Sequence, residues 1–137
     1  MRNTVTFHHP APLVFVSEED GVLSIAGAGW FLELLRTISG LDLDHEVTQE
    51  DWGVVARASR AGCRFWIGLS GLGQHESMAH VHHHSLAWLQ RLSPGGRAAL
   101  AALVGEVDRA LRVAKATDVR WFEESNRNHR APAESPT

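Results

Sequence analysis

The residues of this chain best suited to chemistry are its nine histidines, and their spacing says more than their number. Ser77 to His84 reads as a strand, in which successive side chains point to opposite faces. His80, His82 and His84 therefore share one face, and Ala79, Val81 and His83 share the other. Histidines two apart on a strand can ligate one ion, and zinc accepts three imidazoles with a fourth position left for water. His80, His82 and His84 are thus the candidate zinc ligands. The same face has a second use. Trp52 to Arg60 and Cys63 to Ser70 flank Ala61-Gly62, a pair that suits a tight two-residue hairpin turn. That register sets Val54 opposite Leu69, Ala56 opposite Ile67 and Ala58 opposite Phe65 on an apolar face. Arg57 and Trp66 pair on the reverse face. If Val81 sits beside Ile67, then His82 sits beside Trp66. Arg57, Trp66, His80 and His82 then form one surface of guanidinium, indole and imidazole groups, the kind that anchors protein interfaces. A third reading gives the histidines a structural place, under a helix or hydrogen-bonded at a strand edge.

Other reactive arrangements fall short. A cupin-like metal set would need a ligand glutamate after His80-x-His82, and Leu86 and Ala87 stand there instead. Ser70 and Ser77 flank His75 and Glu76, but sequence adjacency does not build a triad. Gly68-Leu69-Ser70-Gly71 lacks the spacing of a nucleophile elbow. Gly27-Ala28-Gly29 lacks the third glycine of a dinucleotide fingerprint and suits a strand-to-helix turn. Asp42 and Asp44 have a calcium-like spacing without the glycine and spaced glutamate of an EF-hand loop. The expectation is a protein that is not an enzyme and needs no cofactor, with zinc as the alternative.

Composition narrows the classes further. A net charge of -3 offers no basic face for nucleic acid and no polybasic anchor for a membrane. No apolar run approaches the roughly 20 residues that span a bilayer. Met1-Arg2-Asn3-Thr4 leads into alternating residues rather than an apolar signal segment. The single cysteine, Cys63, rules out an internal disulfide and fits a reducing, cytoplasmic setting. The acidic residues are concentrated: Asp42, Asp44, Glu46, Glu50 and Asp51 lie in one stretch from 41 to 51 with no basic residue. That stretch reads as a solvated loop, or as a surface that steers a basic partner toward it.

The elements that must position these groups follow from periodicity. Val5-Thr6-Phe7 and Leu13 to Val16 read as short strands, Ser17 to Gly21 as a turn, and Val22 to Ala26 as the return strand of a hairpin. Trp30, Phe31, Leu34, Leu35 and Ile38 recur at helical spacing, and Gly40 ends that helix. Ser85 to Leu92 has a helical pattern. Ser93-Pro94 restarts a helix as cap and first residue, and Leu100, Leu103, Val104, Val107, Leu111 and Ala114 form its apolar stripe. Asp118 to Glu124 reads as a last strand or docked extension. The predicted fold is α+β: an antiparallel sheet of a hairpin plus a three-strand meander, packed by a short helix and a long C-terminal amphipathic helix. Residues 1–124 make one domain, and the polar residues 125–137 are expected to fray.

This layout of hairpin, short helix, meander, long helix and final strand, with no catalytic signature, resembles the immunity proteins of bacterial contact-dependent and polymorphic toxin systems. The resemblance implies a small cytosolic protein that neutralises a cognate toxin domain by direct binding. The acidic stretch from Asp42 to Asp51 would suit a basic toxin groove, and the surface of Arg57, Trp66 and His82 is the rival docking face. The alternatives are a metal-binding protein using His80 to His84, and a self-associating accessory protein.

Overall fold

The computed structural model describes residues 2–10, 14–16, 23–25, 28–73, 75–84, 88–123 and 133–136. Among these residues eight strands and three helices follow in the order β1 (Thr4–His8), β2 (Val14–Val16), β3 (Leu23–Ile25), α1 (Ala28–Arg36), β4 (Asp42–Glu50), β5 (Gly53–Arg60), β6 (Cys63–Gly71), β7 (Glu76–His83), α2 (Trp88–Leu92), α3 (Pro94–Val113) and β8 (Thr117–Phe122). The fold is α+β. Six strands form an antiparallel sheet in the order β4-β5-β6-β7-β1-β8, while β2 and β3 pair as a separate two-stranded sheet. The expected turn at 17–21, residues 85–87 of the expected helix, residue 124 of the expected last strand, and residues 125–132 and 137 of the expected tail lie outside the described residues.

The β5–β6 hairpin forms in the expected register, with Val54 opposite Leu69, Ala56 opposite Ile67 and Ala58 opposite Phe65. Its turn residues Ala61 and Gly62 both have positive φ, 52° and 76°, as a type I′ turn requires. The meander continues into β7, where Val81 lies opposite Ile67 and His82 opposite Trp66. One face of the sheet is the core face. Val5, Phe7, Val54, Ala58, Phe65, Ile67, Leu69, Ala79, Val81, Val119 and Trp121 join Phe31, Leu34, Leu35 and Ile38 of the first-helix segment and the stripe of α3 in one buried cluster.

The long helix starts where its cap predicts. Ser93 has an extended backbone and its hydroxyl accepts the Gly96 N–H at 2.9 Å, supplying one of the partners that a helix start lacks. Leu103, Val104, Val107 and Leu111 are buried, each contributing roughly 1.5–3 kcal/mol by leaving water. Packing therefore outweighs propensity in holding this helix. The last turn closes as a full Schellman motif around Lys115: Lys115 N–H donates to Arg112 at 3.1 Å and Ala116 N–H to Leu111 at 2.9 Å. Lys115 carries a φ of 64°, a conformation that costs a side-chain-bearing residue energy and glycine almost none.

Two elements differ from expectation. The acidic stretch is a strand and not a loop: β4 pairs with β5 along the edge of the sheet. Its pattern was hidden by a bulge. Leu43 pairs with Ala58 and Val47 with Ala56, so Asp44, His45 and Glu46 stand opposite Arg57 alone. The second difference is the sheet's completion. The N-terminal strand β1 leaves its sequence neighbours and inserts between β7 and β8. Within the tail expected to fray, Ala133 returns to β8, exchanging backbone hydrogen bonds of 2.7 and 3.0 Å with Trp121.

Trp121 joins these parts. Its ring is fully buried, and its indole N–H donates to Asp108 Oδ1 on α3 at 2.8 Å. Arg112 Nε donates to the other carboxylate oxygen at 3.1 Å. Replacing Asp108 with Ala strands a buried donor, and chemical denaturation should show a loss of about 1–3 kcal/mol. Lys115→Gly should act in the opposite direction, raising the unfolding free energy by about 1 kcal/mol.

Candidate functional site

The face of the sheet opposite the core carries the groups singled out in the sequence. Arg57, Trp66 and His82 form a cross-strand row, each directly opposite the next. Gly68, His80 and Thr4 form the adjacent row. Trp66 is half-buried and meets His84 edge-on, with ring centroids 6.4 Å apart at 86°. Its indole nitrogen is buried and has no hydrogen-bond partner among the described residues. Trp52, in the β4–β5 turn, lies over Gly68. A Cβ at Gly68 would stand 2.9 Å from the Trp52 ring, so glycine is what lets the indole approach the strand this closely. Trp52 is nonetheless 49% exposed.

His80 is on this face but does not reach its surface. It is buried, and its Nδ1 lies 3.0 Å from Thr4 Oγ1. The partner comes from β1, whose insertion has no local signal in the sequence. His82 is half-buried, and its tautomer follows from its neighbours. The Asn3 side-chain nitrogen lies 3.2 Å from the Val81 carbonyl and 3.3 Å from His82 Nδ1. A carbonyl can only accept, so the atom facing it is the amide NH2 and His82 Nδ1 accepts as well. The ring proton of neutral His82 is then on Nε2.

The rings of His80 and His82 stack at 5.9 Å and 15°, presenting faces to each other while their Nδ1 atoms serve different neighbours. Among the described residues no group of three or more His, Cys, Asp or Glu side chains has a geometry that could hold a metal ion. That includes His80, His82 and His84.

His83 points the other way, as alternation requires, and enters the core face. It is buried and stacks on Phe65, with centroids 5.3 Å apart at 26°. Neither ring nitrogen has a hydrogen-bond partner among the described residues. Burial pushes its pKa below the ordinary histidine value, and the positive charge of Arg91 acts in the same direction. The Gly96 backbone offsets part of this effect, lying close enough to polarise the ring without meeting hydrogen-bond geometry. His83 is therefore a neutral aromatic packing group.

A second histidine cluster, at the start of β7, escaped the sequence reading. His9 is buried, with Nε2 3.2 Å from Ser77 Oγ. His75 Nδ1 donates to the His9 carbonyl at 3.1 Å, and the His9 ring lies 5.8 Å from Trp30. Ser77 has no exposed surface, so this serine–histidine contact is closed to substrate and serves to tie β1 to β7. His8 lies on the surface nearby, 3.8 Å from Glu76 and 4.0 Å from Asp118.

The acidic group lies at the far edge. Asp42, Asp44, Glu46 and Glu50 on β4 and Asp51 in the following turn are all exposed. The ion pairs among the described residues involve Glu33, Glu76, Glu106, Asp108 and Asp118, and none of the five. Around the bulge, Asp42, Leu43, Asp44, His45, Glu46 and Ser59 line an open depression of about 500 Å³. The structure thus keeps apart two groups that the sequence offered as rival surfaces. Arg57, Trp66 and His82 lie on one face, and the carboxylates run along the edge beyond Arg57.

No helix among the described residues is long and apolar enough to cross a membrane. No protein-family model, curated protein or solved structure matches the chain.

The lowered pKa of His83 has a definite sign for stability. Well above pH 6.5 the ring is neutral both folded and unfolded, and its titration favours neither state. Below that value the unfolded chain takes up the proton while the folded chain resists it, so stability falls as pH drops. His83→Phe keeps the stack on Phe65 and removes the titration. The pH dependence of unfolding free energy between about pH 6.5 and 5 should flatten by up to about 1.4 kcal/mol per pH unit. An unchanged slope would show that His83 takes up its proton without leaving the core.

Proposed function

We propose that this chain is a binding protein that holds a basic protein partner against its acidic sheet edge, and that the partner is a toxin domain it neutralises. One observation carries the first half of this reading. Asp42, Asp44, Glu46, Glu50 and Asp51 are exposed along one edge, and none forms an ion pair with a described residue. Surface carboxylates spent on internal pairs would offer a partner little. Five carboxylates with no ion pair among the described residues, along a single strand and its turn, make a concentrated negative field, which speeds encounter with a basic surface and discriminates against acidic ones. The second half follows the immunity-protein resemblance, with its small α+β layout and direct binding in place of chemistry.

The row of Arg57, Trp66 and His82 supports a second reading, in which the sheet face is the dock. Aromatic and arginine groups in a contiguous row are the usual interface anchors, and the half-exposed Trp52 extends the row's apolar surface.

Co-expression with the product of the adjacent gene tests the role: a stable complex and survival of toxin-expressing cells are expected, and absence of both sinks it. The surface is tested by mutation. Asp44→Lys with Glu46→Lys should weaken the complex about tenfold or more at low salt, with a smaller loss at high salt where the field is already screened. Trp66→Ala should leave affinity nearly unchanged. The reverse pattern would assign the dock to the sheet face.

A further inference from the structure

We infer that β4 takes an extended basic segment of its partner as an added antiparallel or parallel strand, docked along Val47–Glu50. This rests on the reading of the acidic edge as the binding surface, and it adds the mode of binding and the chemistry of the bound segment.

The phase of the backbone hydrogen bonds supports it. Glu50 and Gly53 close a two-residue turn, and the closing pair of such a hairpin exchanges both of its hydrogen bonds. Every second pair then does the same, so Thr48 bonds to Val55 and the backbones of Val47 and Gln49 point away from β5. The next hairpin gives an independent check. Its closing pair, Arg60 and Cys63, sets Val54, Ala56 and Ala58 toward β6 and leaves Gly53, Val55 and Arg57 for β4. The two phases agree. Val47 and Gln49 therefore present N–H and C=O groups outward on a strand that has no neighbour on that side among the described residues. The opposite edge of the sheet is differently placed, since Trp121 of β8 already exchanges two hydrogen bonds with Ala133.

An open edge is a template for any strand, and proteins commonly guard such edges with charge or a bulge. Here the bulge at Asp44, His45 and Glu46 confines pairing to the regular stretch from Val47 to Glu50. The guarding charges are of one sign. A second copy would set acidic edge against acidic edge, and a neutral strand would gain nothing from the field. A segment with lysine or arginine at alternate positions meets Glu50 and the bulge carboxylates on one side while its backbone completes the ladder. This is strand addition, in which main-chain bonds give affinity and alternate side chains give selectivity.

The full chain can be tested with a short peptide of alternating lysine and valine as the probe, and one of alternating glutamate and valine as control. The basic peptide should bind, and the Val47 and Gln49 amides should exchange with solvent about tenfold more slowly in the complex. The same peptide methylated at every backbone nitrogen keeps its charge but cannot join a ladder, and it should bind at least about tenfold more weakly. Gln49→Pro removes an outward donor from an exposed edge position, where proline is tolerated, and should weaken binding to a similar degree. The methylated peptide gives the answer even if that variant folds poorly. Equal binding of methylated and unmethylated peptides with no amide protection overturns strand addition and leaves a purely electrostatic edge. Failure of the unmethylated peptide to bind also overturns it, and leaves the toxin reading to the co-expression test.

Discussion

Strand β7 lies between β6 and β1 near the middle of the sheet, and its two-residue period divides the molecule's chemistry. Ala79, Val81 and His83 enter the core, while His80 and His82 go to the reverse face. A slip of one residue in either pairing would exchange these sets, burying two imidazoles among aliphatic side chains and exposing Val81. Both neighbours oppose such a slip. On one side the β5–β6 turn sets the phase that β7 inherits through Ile67 and Val81. On the other, Thr4 and Asn3 supply polar partners at the heights of His80 and His82. The histidine strand is therefore held in register by its polar side as well as its apolar side.

β1 completes this arrangement at some cost. Its pairs with β7 and β8 join residues separated by most of the chain, and bringing them together costs loop-closure entropy that the local hairpins do not. Trp121 offsets that cost with a fully buried ring and two sets of hydrogen bonds. Its indole reaches Asp108 on α3, and its backbone pairs with Ala133. Helix, sheet and C-terminal segment thus converge on one residue of β8.

What could be read from the sequence was whatever had a local physical cause. Ala61-Gly62 and the alternation on either side specify the hairpin register to the residue. Ser93-Pro94 and the stripe through Leu111 specify the long helix. The parity of His83 was equally plain, and its burial followed once Val81 was placed. β4 is illegible because two signals fail together: the bulge breaks its alternation, and four carboxylates give it the composition of a loop. β1 is legible as a strand but its place in the sheet is not, since nothing near Val5 signals Ala79 or Trp121. His80 has the sequence signature of a surface group for the same reason, because the threonine that engages it lies 76 residues away.

The bulge in β4 holds three residues where the partner strand has one, so it contains two more than a regular ladder. That number is even, and Leu43 before it and Val47 after it both pack against the core. In a pleated strand a single added or removed residue turns everything beyond it over, whereas a pair leaves every later side chain facing as it did. The acidic bend is thus a segment whose length can change only in steps of two. Related chains could lengthen or shorten it in pairs, reshaping what the edge presents while the sheet behind it stays the same.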